Sequence, residues 1–202
     1  MVTYKGLPGP HICDYWTRQQ SAAFYEGGES FQIGRIDMVA NTGTYLDAPF
    51  HRYADGDDLA QLALERLAGV PGLVVRAQRQ AVEASLFAGL DVAGKAVLVH
   101  SGWDRHWRTE AYYEDHPFLT EAAARLLVEG GARLVGIDSH NIDDTSTRSR
   151  PVHSLLLGAG ILICEHLTNL EALPTHGFRF SALPPKIAGM GTFPVRAFAE
   201  IG

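Results

Sequence analysis

The sequence has few cysteines, no excess of positive charge and no long apolar run. Its 202 residues include only Cys13 and Cys164, too few for a disulfide framework. The formal net charge is −6 and no basic run occurs, which argues against nucleic acid or an anionic membrane as partner. No apolar run approaches the roughly 18 residues of a membrane span, and MVTYKGLPGP lacks the features of a signal peptide. We therefore expect a cytoplasmic protein whose partner is a small neutral or acidic molecule.

The length and the 46% apolar content suit one compact domain over residues 1–202. Residues 1–40 predict loops and short strands, the last of them an alternating strand over residues 31–39. Short β-branched runs next to Gly and a run of helix formers capped by Thr120 predict an alternating α/β chain. The predicted strands are residues 73–77, 96–100, 134–138 and 161–164, and the predicted helices are residues 120–129 and a short one from Pro151 to Gly158.

Residues 41–51, NTGTYLDAPFH, combine an amide, a phenol, a carboxylate and an imidazole with several turn-forming residues. Gly43 permits a positive φ, and Pro49 fixes φ and removes a donor. We interpret this stretch as a functional loop in which Asp47 and His51 converge through a bend, because Pro49 argues against a shared helical face. The residue types alone fit equally well a turn in which Asp47 accepts backbone amides.

The spacing Gly43-Thr44-x-x-Asp47-x-Pro49-x-His51 resembles the signature of the cyclase family, metal-dependent hydrolases that include bacterial kynurenine formamidase. The family pattern is His-x-Gly-Thr-His-x-Asp-x-Pro-x-His. This sequence departs from it at two positions, where Asn41 and Tyr45 stand in place of the first two histidines. The resemblance implies that Asp47 is a metal ligand and that His51 is the catalytic acid or base.

Residues 151–165 form a second informative stretch, in which a buried strand closes on Glu165. A carboxylate at the edge of an apolar run needs a partner. A salt bridge or backbone hydrogen bonds would explain Glu165 as well as a metal ion would. The resemblance favours the metal, because His153 and Glu165 match the His and Glu that complete the family's metal site.

Several further side chains are candidates for a substrate pocket. Trp103 and Trp107 follow a predicted strand, where aromatic residues suit a pocket wall and suit the core equally well. His140 lies among polar residues at the end of another strand, a common location of sites in α/β folds. Asn41 and Phe50 complete the predicted pocket through their place in the motif.

The resemblance implies an α/β fold with a mixed β-barrel-like core and flanking helices, assembled as a homodimer or homotetramer. The tail, residues 180–198, resembles the family's closing segment and predicts a final strand. Family members begin with one more strand before the segment that corresponds to residues 1–4. We therefore expect an incomplete start and an unfilled edge position.

The activity implied is metal-assisted hydrolysis of a small amide, either an N-formyl or a cyclic amide. Asn41 and Tyr45 remove nitrogen ligands, so we expect one zinc or manganese ion on Asp47, His153 and Glu165 instead of two ions. Tyr45 would donate a hydrogen bond to a developing oxyanion. Two alternatives remain open: an enzyme of the same fold with another small-molecule reaction, and a metal-free binding or regulatory protein.

Overall fold

The computed structural model describes residues 5–202, so the expectation about residues 1–4 lies outside the described part. Twelve strands and three α-helices follow one another along that part. They are β1 (His11–Trp16), α1 (Arg18–Ala22), β2 (Ile33–Asp37), β3 (Tyr45–Asp47), β4 (Val70–Arg76), β5 (Ala81–Val82), β6 (Ala96–His100), β7 (Phe118–Leu119), α2 (Glu121–Glu129), β8 (Leu134–Ile137), α3 (Pro151–Gly158), β9 (Leu162–Glu165), β10 (Phe178–Ser181), β11 (Thr192–Pro194) and β12 (Phe198–Ile201).

Eight of these strands form one mixed sheet that curls into a half-barrel, in the order β11-β3-β9-β8-β6-β4-β10-β12. The four inner strands β9, β8, β6 and β4 run parallel. The outer strands on both sides are antiparallel to their neighbours. The predicted α/β fold with a mixed, barrel-like core is confirmed.

Apolar side chains cover both faces of this sheet. The helices α2 and α3 pack on one face against alternate residues of the inner strands, among them Val97, Val135 and Ile163. The opposite face carries the intervening residues, including Leu98 and Cys164, under loops of the chain. Parallel strands that are buried on both faces need continuous apolar runs, which explains why the sequence signals of β6, β8 and β9 were strong.

Most predicted elements occur, with corrected bounds. The strand at residues 96–100 and the helix from Pro151 to Gly158 are confirmed, and Thr120 caps α2 as predicted. The strand predicted over residues 31–39 is shorter, because only residues 33–37 pair with β1. The single closing strand was wrong: β10, β11 and β12 occupy that part of the chain.

The prediction that residues 41–51 are entirely loop was also wrong. Tyr45–Asp47 is a strand that is hydrogen-bonded on both sides, and Pro49–His51 forms a 3₁₀ turn. Proline at the first position of the turn supplies the φ that the turn requires, so it starts this turn and prevents nothing. The bend predicted between Asp47 and His51 is this change from strand to turn.

The strands β1 and β2 form a separate two-stranded sheet. Ile12 and Ile36 are paired across it and are 71% and 61% exposed. Phe24, which follows α1, is 71% exposed. An isolated two-stranded hairpin is marginally stable by itself, so this apolar arm is a feature that the fold leaves uncovered.

Within residues 5–202, no helix combines the length and the apolar character that crossing a bilayer requires.

Candidate metal and active site

The register of three neighbouring strands assembles the site. Thr192 of β11 is paired with Asp47 of β3, and Tyr45 of β3 is paired with Glu165 of β9. Tyr45 and Asp47 are two residues apart and therefore lie on one face of the strand. That face also holds Ile163, which packs in the core beneath α3. The polar side chains of the site thus point towards the helix that carries His153.

Asp47 is the central carboxylate and is fully buried. Its Oδ1 accepts a hydrogen bond from the hydroxyl of Thr192. Its Oδ2 has no hydrogen-bond partner among residues 5–202. His153 Nε2 lies 3.7 Å from that oxygen, which is too far for a hydrogen bond. A buried carboxylate oxygen without a donor is costly, so a cation is the partner that fits this position.

His51 lies at the end of the 3₁₀ turn and is 34% exposed at its side chain. Its Nδ1 is 2.8 Å from the hydroxyl of Thr192 and 3.6 Å from Asp47 Oδ1. Because the ionised Asp47 can only accept, the Thr192 hydroxyl donates to Asp47 and accepts from His51 Nδ1–H. The lone pair of neutral His51 is therefore on Nε2.

His153 is held from behind by Asp143. Its Nδ1 donates to Asp143 Oδ2 at 2.6 Å, and the same carboxylate accepts the backbone N–H groups of Val152 and His153 at 2.7 and 3.0 Å. These N–H groups belong to the first turn of α3, where helix donors have no partner within the helix. Asp143 thus caps the helix and fixes the ring so that Nε2 faces the site.

Glu165 is the second fully buried carboxylate. Its Oε2 accepts from the hydroxyl of Tyr45, and its Oε1 accepts from the backbone N–H of Ile142 at 2.7 Å. Oε1 is also 3.6 Å from His153 Nε2. Burial raises the pKa of Glu165 above its ordinary value. Burial alone would lower the pKa of His153, but Asp143, Asp47 and Glu165 together raise it.

The donor atoms are spaced as metal ligands are. Asp47, His51 and His153 each offer one ligand atom, and these atoms lie within 4.8 Å of one another. The separations of 3.6–3.7 Å from His153 Nε2 to Glu165 and Asp47 are close to the roughly 3.3–3.5 Å between neighbouring ligands of tetrahedral zinc. Carboxylate and imidazole donors suit zinc and manganese. The residues present therefore fit a divalent ion.

A pocket of about 120 Å³ opens onto this cluster. It is lined by His51, Arg52, Asn141, Arg150 and His153. The predicted pocket residue His140 is not among them. It is buried, and its Nδ1 bonds to the carbonyl of Tyr112 at 3.1 Å. A larger depression of about 440 Å³ between β4 and β10 holds no such cluster of acid and imidazole groups among its lining residues.

The predicted aromatic pocket wall lies elsewhere in the structure. Trp103 donates through Nε1 to the carbonyl of Tyr112 at 3.0 Å. Trp107 packs edge-on against Tyr112 and against His166, with ring centroids 5.0 and 5.4 Å apart. Both tryptophans are half-buried, as are Asn41 and Phe50. None of these four predicted pocket residues lines the pocket beside His51 and His153.

Sequence reasoning missed Thr192, Asp143, Asn141 and both arginines. The only available signal was for Asp143, which ends a polar run after a strand and precedes a helix that begins with proline. Nothing in the sequence around Thr192 links it to Asp47, which is 145 positions away. Their contact arises from strand register alone.

Solved structures share this fold. An isatin hydrolase bound to the product analogue thioisatinate matches with a TM-score of 0.79 and 24% identity, over 97% of this chain and 83% of that chain. A potential metal-dependent hydrolase with cyclase activity matches with a TM-score of 0.74 and 27% identity, over 96% and 91%. The shared fold and the acid–imidazole cluster place the chain in the class of cyclase-type hydrolases.

The sequence comparisons identify the family. A family model described as "Putative cyclase" matches residues 10–144, and the chain belongs to this cyclase family. The kynurenine formamidase of Geobacillus thermodenitrificans is 29% identical over 192 residues, which are 94% of this chain and 88% of that protein. The kynurenine formamidase of Salinibacter ruber is 30% identical over 188 residues, which are 90% and 84%.

The hydroxyl of Thr192 should determine the tautomer of His51. In metal-free protein with a neutral His51, we expect ¹⁵N imidazole shifts that show protonated Nδ1 and unprotonated Nε2. Thr192→Val removes the acceptor and should give a mixture of the two tautomers, whereas Thr192→Ser keeps the hydroxyl and should retain the original pattern. An unchanged spectrum in Thr192→Val would show that another group orients the ring.

Proposed function

We propose that this protein is a metal-dependent hydrolase of a small amide, with an N-formyl or cyclic amide as substrate. The observation that carries the proposal is the buried Asp47 Oδ2, which lacks a hydrogen-bond partner among residues 5–202 and lies 3.7 Å from His153 Nε2. The similarity to kynurenine formamidases supports the amide substrate. The similarity to a potential metal-dependent hydrolase supports the metal.

One zinc or manganese ion would be held by Asp47, His153 and Glu165. When bound, such an ion lowers the pKa of a coordinated water and polarises a carbonyl. Asp47 and His153 also belong to the group of three ligand atoms within 4.8 Å, whose third member is His51. We assign Glu165 as the third ligand because it is buried beside His153, while His51 is exposed at the pocket mouth.

His51 would transfer protons between water and the amide nitrogen. Its Nδ1–H is held by Thr192, so its Nε2 is the atom available to accept or donate a proton. Tyr45 has a different part from the one expected from the sequence. Its hydroxyl donates to Glu165 and therefore orients a ligand instead of waiting for an oxyanion.

Metal analysis combined with an assay tests the proposal. Purified protein supplied with zinc or manganese should retain about one equivalent and hydrolyse an N-formyl aromatic amine, and chelation should abolish the activity. Glu165→Gln should lose both the metal and the activity. His51→Ala should keep the metal and lose roughly 10²–10⁴-fold in turnover, as is typical of an acid–base residue.

The opposite pattern, in which His51→Ala loses the metal and Glu165→Gln keeps it, would exchange the two roles. Metal binding without amide hydrolysis would favour another reaction on the same fold. A protein that binds no metal under any of these conditions would be a binding or regulatory protein that lacks this catalysis.

Asp143 should matter for metal affinity although it is not proposed as a ligand. Asp143→Asn places an amide where one carboxylate serves His153 Nδ1–H and two backbone N–H groups. We expect metal affinity to fall about 10–100-fold, as is found for partners of ligating histidines. The matched control is Asp144→Asn, whose carboxylate accepts the backbone N–H of Ser146 at 2.8 Å and not a site residue. Equal affinities in titrations of both variants would contradict the prediction.

We also propose that the protein forms a homodimer or homotetramer through the arm of β1 and β2. The arm exposes Ile12 and Ile36 as a cross-strand pair, a surface that a second copy would cover. Light scattering should give a multiple of the 22.0 kDa chain mass, and Ile12→Ser with Ile36→Ser should lower it. Leu64→Ser is the control, because Leu64 is 63% exposed outside the arm. A monomer in the parent protein would refute the assembly.

A further inference from the structure

Two arginines stand at the mouth of the pocket, on opposite sides of His51 and His153 in the chain. Arg52 directly follows the 3₁₀ turn that ends at His51. Arg150 is the N-cap residue of α3, the helix that carries His153. Both side chains line the pocket of about 120 Å³. Any molecule that reaches the acid–imidazole cluster through this pocket passes both guanidinium groups.

Neither guanidinium has an acidic partner. Four Lys or Arg side chains form ion pairs within 4.0 Å in the described part of the chain: Lys5, Arg66, Lys95 and Arg125. Arg52 and Arg150 are not among them, although the chain has a net charge of −6. Two unpaired cations at one pocket of an acidic protein form a local positive field that attracts anions.

Both guanidinium groups are anchored, and both keep donors free for a ligand. Arg52 Nε donates to Ser154 Oγ at 3.1 Å, and its two Nη atoms have no hydrogen-bond partner within residues 5–202. Arg150 Nη1 donates to the carbonyls of Asp144, Thr147 and Ser149 at 2.6–3.1 Å. These neutral carbonyls position its guanidinium but do not neutralise it. An arginine held in this way loses less side-chain entropy when it binds an anion.

We propose that Arg52 and Arg150 select a small amide that carries a carboxylate group. The inference rests on the proposed amide hydrolysis at the same site and adds the class of substrate. The planar fork of a guanidinium matches the two oxygens of a carboxylate, which explains arginine at both positions. The substrate's carboxylate lies at the mouth, and its amide reaches His51 and the cluster below.

A matched pair of amides tests this selection: N-formyl-2-aminobenzoate, which carries a carboxylate, and N-formylaniline, which does not. The measured quantity is the ratio of their kcat/KM values in the parent, in Arg52→Gln and in Arg150→Gln. Each variant should lower the ratio about tenfold, the effect of one charge-assisted hydrogen bond. Arg52→Lys should recover part of the loss, because it restores the charge without the fork.

The control is Arg148→Gln, which removes the same charge from an exposed residue of the same loop that does not line the pocket. It should leave the ratio within twofold of the parent. Equal losses for both amides in Arg52→Gln and Arg150→Gln would show that the arginines only support the structure. An unchanged ratio in both variants would overturn the inference while leaving the proposed amide hydrolysis intact.

Binding measurements keep the inference testable if neither amide is hydrolysed. Calorimetry compares 2-aminobenzoate with 2-aminobenzamide, which differ in the carboxylate. The carboxylate probe should bind more tightly to the parent, and Arg52→Gln should remove that preference while Arg148→Gln retains it. No preference in the parent would refute the selection of a carboxylate. The absence of hydrolysis, by contrast, would count against the proposed function alone.

Discussion

Two carboxylates buried side by side beneath one helix impose the central constraint on this structure. Asp47 and Glu165 are both fully buried, and a buried charge costs several kcal/mol unless it is compensated. The fold provides a partner for three of the four oxygens, through Thr192, Tyr45 and the backbone of Ile142. The fourth, Asp47 Oδ2, has no hydrogen-bond partner in residues 5–202. The site is therefore organised around one incomplete oxygen.

The sequence predicted the groups that this constraint brings together better than it predicted their supports. Asp47, His51, His153 and Glu165 were recognised because each stands in a short segment with a distinctive spacing. Thr192 was missed because its contact with Asp47 depends on which residues of two distant strands become paired. Local periodicity can indicate a strand, but register is decided by the whole sheet.

The choice of His140 failed for a related reason. It was chosen because polar residues follow β8, and the structure does place that segment beside the site. The side chain that reaches the pocket, however, is that of Asn141, while His140 turns to the carbonyl of Tyr112. A single residue step reverses the direction of a side chain in extended backbone. Sequence reasoning located the segment but not the residue.

Tyr45 shows how one substitution can change both the ligands and their surroundings. A phenol is a poor metal ligand while it is neutral, and here its proton is directed to Glu165. Among residues 5–202, the one group of three ligand atoms with metal-like spacing is Asp47, His51 and His153. Tyr45 thus completes the hydrogen bonding of a buried carboxylate at a position where the family pattern has a nitrogen ligand. That exchange is consistent with one ion.

The charge of the site connects this single ion to the arginines at the mouth. Asp47, Glu165 and Asp143 bring three carboxylates against one imidazole, and that negative charge raises the pKa of His153 despite its burial. One divalent ion would offset two of the three charges and leave the cluster negative. An anionic substrate would be repelled by such a cluster. Arg52 and Arg150, unpaired at the entrance, supply the opposing field, so a carboxylate-bearing substrate and a one-ion site are electrostatically compatible only with both arginines in place.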